Sequence, residues 1–499
     1  MDRESDNGYR HILKYTSIFG SVQGLNILVG LIRNKLVAML LGPSGMGLAS
    51  LFNSVVNFIS QATNFGISFS AIKHVSELFD SGDEAAIRHY VKVVRVWSLL
   101  TALVGMFVCI AFGPLLSDFS FSWGNHTLHF ILLSPAIGLL AITGGETAIL
   151  KGARQLRSLA VIQVYSMLTA LLISLPIYYV YGQAGVVPVI VLLALALMLL
   201  TIWYSYRLYP LRLKVEKGIL GEGISMVKLG VAFVIAGILG SGAEMLIRSY
   251  LSVRSGGLDI VGLYNAGFML TVTYASMVFT AMETDYFPRL SSVGKAPSAM
   301  SQMVNRQIEV SLLIVSPMLS FFIILLPEFI PLLFTSEFLP VVGMAQISVF
   351  AIYIKAISLP ISYITLARGD SVGYMVLEGI FDVIMVILVV LGYQYWGLFG
   401  TGVALSVSYF FDILLVGGYA YMRYQYRVSR SVLLYAAIQF SLGIAVYVVT
   451  WSDSPWVYWT FGLLFCVSSL FVSLHILHRK TSLWSSLTQK LKNKIHYDS

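Results

Sequence analysis

Arginines embedded in apolar helices are where this 499-residue sequence most plainly invites chemistry. Arg33 follows Leu31-Ile32 and Arg248 follows Leu246-Ile247, each inside a long hydrophobic run. An ionisable side chain at membrane depth is costly unless it is paired or used, so each is a functional candidate. The planar guanidinium fork matches phosphate oxygens in a bidentate way, and two such forks can meet one anion. Lys355, in the middle of another apolar run, is a third candidate anion contact. For Arg248 a simpler outcome is also open, because Glu244 lies one helical turn earlier and can pair with it. Lys35 and Arg254, near helix ends, read as cations that snorkel to the interface. Among the carboxylates, Glu378 and Asp382 share a helix face and Asp412 lies mid-run, which suits proton or cation coupling or the neutralising of basic neighbours. Glu146 and Asp285, near cytoplasmic helix ends, are expected to be solvated there.

Uncharged polar residues are patterned as well. Asn53, Asn57, Ser60, Gln61, Asn64 and Ser68 recur at spacings of three and four, on one helix face. Gln23, Asn26, Gly30 and Arg33 do the same on the preceding helix, and Thr273, Ser276, Thr280 and Glu283 on a later one. Interhelical hydrogen bonding explains one or two such residues. Six on a single face exceed what packing needs and favour the lining of a hydrated cavity.

Other motifs do not hold. Gly42-x-x-Gly45-x-Gly47 has no preceding strand and is a turn, not a dinucleotide loop. His126 with His129, and His475 with His478, have no acidic third ligand nearby. No Walker A sequence occurs, no cofactor is implied, and the lone cysteines Cys109 and Cys466 sit in apolar runs, away from any disulfide framework.

The elements that carry these residues follow from composition. Hydrophobic residues make up 57% and charged residues 11% of the chain, with a mean hydropathy of +0.82. A soluble domain carries roughly 25% charged residues, and apolar runs of about twenty residues recur, each long enough to span the bilayer as a helix. The chain reads as an all-α polytopic membrane protein. The runs predict fourteen helices near 12–40, 46–72, 93–116, 127–150, 158–181, 184–206, 224–253, 258–287, 306–326, 341–367, 371–393, 397–421, 431–450 and 455–478. Of the 32 Lys and Arg residues, 27 fall in the N-terminal segment, every second connection and the tail. That asymmetry places both termini in the cytoplasm. The net charge of +8 is therefore topological, and nucleic acid is not an expected partner. Met1 to Lys14 shows no small-residue cleavage site, so no signal peptide is read there. Residues 481–499, with Leu483, Leu487, Leu491 and Ile495 beside Lys490, Lys492 and Lys494, read as a basic amphipathic helix on the membrane surface or as a frayed tail.

The sequence also repeats. A shift of 215 residues lays Leu31-Ile32-Arg33 on Leu246-Ile247-Arg248, Gly42 on Gly257, Gly47-Leu48 on Gly262-Leu263, and Gly182 and Gly185 on Gly397 and Gly400. A shift of 217 lays Pro114-Leu115-Leu116 on Pro331-Leu332-Leu333. Six helices per copy make the repeats parallel, about an axis near the membrane normal. The expected organisation is a six-helix bundle over 1–222, a second over 223–430, two extra helices over 431–480 and the tail over 481–499.

Arg33-Asn34-Lys35-Leu36 through Leu41-Gly42-Pro43-Ser44-Gly45-Met46-Gly47-Leu48, Asn64-Phe65-Gly66-Ile67 running to Lys73, and Leu150-Lys151-Gly152 together resemble bacterial Wzx-type O-antigen flippases. These form the polysaccharide branch of the multidrug/oligosaccharidyl-lipid/polysaccharide exporter superfamily. The resemblance implies a MATE-like pair of bundles in the bacterial inner membrane. It implies export of an undecaprenyl-diphosphate-linked oligosaccharide to the periplasmic leaflet for lipopolysaccharide biosynthesis. It also implies a polysaccharide polymerase and chain-length machinery as partners. Cationic cavity residues of such flippases contact the diphosphate, and Arg33 and Arg248 fit that role. Multidrug export by the same fold is the alternative. A membrane polymerase or glycosyltransferase is less fitting, because the outer connections are too short to hold a catalytic domain.

Overall fold

The computed structural model describes the backbone of residues 2–210, 219–273, 279, 286–287, 289–293 and 296–480. Among the described residues every regular element is a helix. Hydrocarbon offers no partner to a peptide group, so a spanning segment must satisfy its backbone internally, and long apolar runs become helices. In chain order these are α1 (Asp2–Thr63), α2 (Ile67–Ser81), α3 (Glu84–Ala111), α4 (Gly113–Ser120), α5 (Thr127–Gly152), α6 (Leu156–Tyr181), α7 (Val186–Leu208), α8 (Ile219–Ser255) and α9 (Asp259–Phe268). Then come a π-helical turn at Met269–Thr273, α10 (Pro297–Leu333), α11 (Val342–Ala367), α12 (Ser371–Tyr424), α13 (Arg430–Val449) and α14 (Pro455–Lys480). Among the described residues, ten helical stretches are long and apolar enough to cross a membrane.

Three of those stretches turn at a glycine with positive φ: Gly42 at 62°, Gly182 at 55° and Gly397 at 59°. Only glycine adopts this region without a steric penalty. At Gly397 the chain reverses, since the backbones of Gly392 and Gly400 press together, whereas eight residues of straight helix would separate them by about 12 Å. At Gly182 the reversal brings the Ile177 carbonyl to 3.2 Å from the position of a Cβ on Gly185.

Two expected boundaries shift. The helix expected over 46–72 ends at Thr63, because Phe65 and Gly66 take φ of 49° and 73° and a separate amphipathic helix, α2, begins at Ile67. The helix expected to reach residue 116 stops at Ala111, and Gly113-Pro114 starts the short α4, with proline in the first turn where its missing N–H costs nothing.

The chain forms two compact units. One comprises Met1–Ala266, Pro331–Phe338 and Glu378–Val386; the other comprises Gly267–Ile330, Leu339–Leu377 and Ile387–Ser499. In the first, α3 and α5 approach closely through small residues: a Cβ on Gly105 would sit 2.7 Å from Ile137, and one on Gly138 2.7 Å from the Met106 sulfur. Small residues at such crossings allow the van der Waals contact that holds helices together in lipid. In the second, Ile308, Leu312, Ile323, Ile324, Phe350 and Tyr353 form the buried centre.

Candidate functional site

Within the first unit, residues 46–63 of α1 run antiparallel to α8. Arg248 lies beside Ser50, Gly242 beside Phe58 and Gly237 beside Gln61. The glycines on α8 leave room for this approach; a Cβ on Gly242 would already stand 3.3 Å from the Phe58 ring. Along α1 the amides of Asn53, Asn57 and Gln61 form an exposed stripe, with Asn64 half-buried beyond them. The Asn53 amide nitrogen donates to the Ala49 carbonyl at 2.8 Å.

Arg248 closes one end of this pair and is 6% exposed. Its Nη1 donates to Glu244 Oε2 at 3.0 Å, its Nε to Ser50 Oγ at 2.8 Å, and its Nη2 reaches Asn265 Oδ1 of α9 at 3.5 Å. The pairing with Glu244 is the one the four-residue spacing anticipates, and the Glu244 side chain stays 43% exposed. Asp382 of α12 is buried beside Gly240, and its charge and that of Glu244 act on each other. The arrangement thus combines a wall of amides that donate and accept, an accessible carboxylate paired with a buried guanidinium, and a second, buried carboxylate within electrostatic reach of the first.

The other residues singled out above lie elsewhere. Arg33 is half-buried and points Nε to Ser174 Oγ of α6 at 3.4 Å, near Tyr178. Lys35 does not snorkel: its ammonium donates to the carbonyls of Pro331, at 2.6 Å, and Phe334, capping the C-terminal end of α10. Bonds to these carbonyls satisfy acceptors that the helix itself leaves open. In the second unit Lys355 sits 5.7 Å from the centre of the Tyr409 ring, and its charge acts on Asp412, which accepts from Ser358. Glu378 is half-buried on α12, and Thr273 is exposed on the π-helical turn. The side chains of Gln23 and Asn26, and Ser276, Thr280, Glu283, Asp285 and the tail over 481–499, lie outside the described residues.

Glu146 is not solvated. It is buried and accepts from Arg95 Nε at 2.8 Å and Nη2 at 3.2 Å and from Ser205 at 2.5 Å, while Arg95 stacks over Tyr206 at 4.1 Å. The sequence does not single out Arg95 as a partner of Glu146, although Val93, Val94, Val96 and Trp97 around it are apolar.

The family model described as polysaccharide biosynthesis protein matches residues 36–343, more than half of the chain, including Ser50, Glu244 and Arg248. The Lipid III flippase of Escherichia coli (strain K12) is 22% identical over 369 residues, which cover 70% of this chain and 83% of that protein. Among solved structures, the lipid II flippase MurJ in an inward closed conformation superposes with a TM-score of 0.70 at 14% identity, over 93% of this chain and 99% of its own. An inward-facing multidrug resistance MATE family transporter of the MOP superfamily gives 0.67 at 14% identity, over 82% and 98%. With its long apolar helices, its buried charges and a family match through both arms of the site, the chain belongs to the polysaccharide biosynthesis protein family, built on the MOP-superfamily transporter fold.

Proposed function

We propose that this protein is a flippase of the bacterial inner membrane. It moves an undecaprenyl-diphosphate-linked oligosaccharide, an O-antigen-type repeat unit, from the cytoplasmic to the periplasmic leaflet by alternating access. The observation that carries this reading is the buried Arg248 at the end of an exposed amide stripe on the helix packed against it. Asn53, Asn57 and Gln61 offer sugar hydroxyls both donors and acceptors, and Arg248 offers the diphosphate a fork. The diphosphate exchanges with Glu244 for that fork, and Arg33 and Lys355, which lie elsewhere in the structure, are separate candidate anion contacts. Neutralisation of Asp382 or Glu244 by a proton or cation resets the exchange, with Glu378 and Asp412 as further coupling candidates. The chain crosses the membrane fourteen times with both termini cytoplasmic, and its two six-helix repeats rock about the axis between them. The product passes to polysaccharide polymerase and chain-length machinery. One observation favours a second reading, export of cationic drugs: the accessible Glu244 carboxylate and the buried Asp382 act on each other, which gives the site two carboxylates.

Arginine substitution tests the proposal. Arg33→Ala and Arg248→Ala should each abolish surface-polysaccharide export at normal protein abundance, and Arg→Lys at either position should restore only part of it, because an ammonium keeps the charge without the fork. Well-folded alanine variants with full export would refute the diphosphate assignment. Drug resistance lost in Glu244→Gln while polysaccharide export persists would favour the second reading.

A further inference from the structure

A displacement of 215 residues takes Gly47 to Gly262 and Ser50 to Asn265, and each of these residues touches its own counterpart. Gly47 and Gly262 lie backbone against backbone. A Cβ on Gly262 would collide with the Pro43 carbonyl and the Gly47 nitrogen, and one on Gly47 with the Leu258 carbonyl and the Gly262 nitrogen. One turn farther along, Ser50 Oγ donates to Asn265 Oδ1 at 2.8 Å. Residues related by a two-fold axis meet their own counterparts only on that axis. The junction of α1 with α9 therefore lies on the pseudo-two-fold axis of the repeat, beside the turn at Gly42. Two repeats that part on this side must break this junction.

At the glycines of the junction the two backbones themselves meet. Its polar bonds form a closed ring: Ser50 donates to Asn265, Arg248 Nε donates to Ser50 at 2.8 Å, and Arg248 Nη2 reaches Asn265 at 3.5 Å. A hydrogen bond from a charged donor is roughly twice as strong as a neutral one, so Arg248 supplies most of the ring's strength. We infer that Arg248, Ser50 and Asn265 form a latch on this axial junction, and that the anionic head of the substrate opens it by drawing Arg248 away. This rests on the diphosphate reading above. It gives transport an order: loading from one side weakens the seal on the other, and an empty protein stays closed.

Ser50→Cys/Asn265→Cys tests it in the full-length chain, where the native Cys109 and Cys466 are buried. Oxidation in membranes should form the 50–265 disulfide, detected by peptide mass, and should stop export until dithiothreitol is added. The anion trigger is tested with the ring intact: in protein carrying Asn53→Cys alone, undecaprenyl diphosphate should raise labelling by an impermeant maleimide from the periplasmic face about fivefold relative to undecaprenol, the change expected when one hydrogen bond of ordinary strength is withdrawn. Failure to cross-link, or oxidised protein that exports as well as reduced protein, would overturn the latch. Blocked export with no effect of undecaprenyl diphosphate would overturn the anion trigger while the opening junction stands; the diphosphate reading itself falls only if the arginine variants export normally. Should the reduced pair fail to fold, Gly262→Ala serves as a wedge in protein carrying Asn53→Cys. Labelling by an impermeant maleimide from the periplasmic face should then rise about tenfold, as a junction destabilised by roughly 1.4 kcal/mol requires. Unchanged labelling in well-expressed protein would overturn the latch equally.

Discussion

Glu146 accepts three hydrogen bonds while buried, two of them from an Arg95 that is itself almost buried. Removing one partner of such a pair leaves an uncompensated charge and costs about 3–5 kcal/mol, whereas replacing both with apolar residues is close to neutral. Glu146→Ala should therefore lower the midpoint of thermal unfolding in detergent sharply, and Arg95→Met/Glu146→Leu should recover most of the loss. A single variant as stable as the parent would show that the pair holds nothing together. At this scale the sequence exposes buried charge but only nearby partners. The Glu244–Arg248 pair is legible because the two residues are one helical turn apart. The Arg95–Glu146 pair is not, because it joins helices 51 residues apart in the chain. Ser50 and Asn265 escape notice for another reason: they occupy equivalent places in the repeat with different side chains, so no identity marks them.

Helix ends are governed by local chemistry, and most of it is readable. Gly42, Gly182 and Gly397 mark their turns in the sequence because only glycine fits the backbone they adopt. The end of α1 at Thr63 is less plain, since Phe65 takes a positive φ without being glycine. The start of α12 carries a testable device. Asp370 accepts from the Gly373 amide and also from the hydroxyls of Tyr419, at 2.6 Å, and Tyr424, at 2.7 Å, which tie the first turn of the helix to its last. The Tyr419 hydroxyl foremost, with that of Tyr424, holds the Asp370 carboxyl below its ordinary range. A lowered folded value means the stabilisation is complete above the unfolded value of about 3.9 and is lost as pH falls from there through the folded value. Asp370→Asn keeps a helix cap but gives the Tyr419 and Tyr424 hydroxyls a neutral amide in place of a charged acceptor, and should cost about 1 kcal/mol at pH 7. That difference in unfolding midpoint should shrink as the pH is brought below about 4. A difference independent of pH would assign the effect to packing of the side chain instead of to its charge.

Composition and hydropathy determine the class of the molecule because lipid leaves the backbone so few solutions. The all-helical membrane fold was therefore legible from the chain alone, and the family from short motifs around residues 33–73. Which helices pack against one another was not, since apolar faces in lipid carry little address. Internal symmetry narrows that gap. The 215-residue offset singles out Gly47 with Gly262, yet only the structure shows the two in contact on the axis. Under the proposed function the molecule carries an anionic lipid-linked sugar. Purified protein in liposomes, loaded with a fluorescent undecaprenyl-diphosphate-linked oligosaccharide and challenged with an external glycosidase, measures that transfer directly. Lipid-linked sugar in the inner leaflet should become digestible many times faster than in protein-free vesicles, and faster than with Arg248→Ala protein, while a cationic dye in the same vesicles is not moved. Movement of the dye with no acceleration for the lipid-linked sugar would contradict the account.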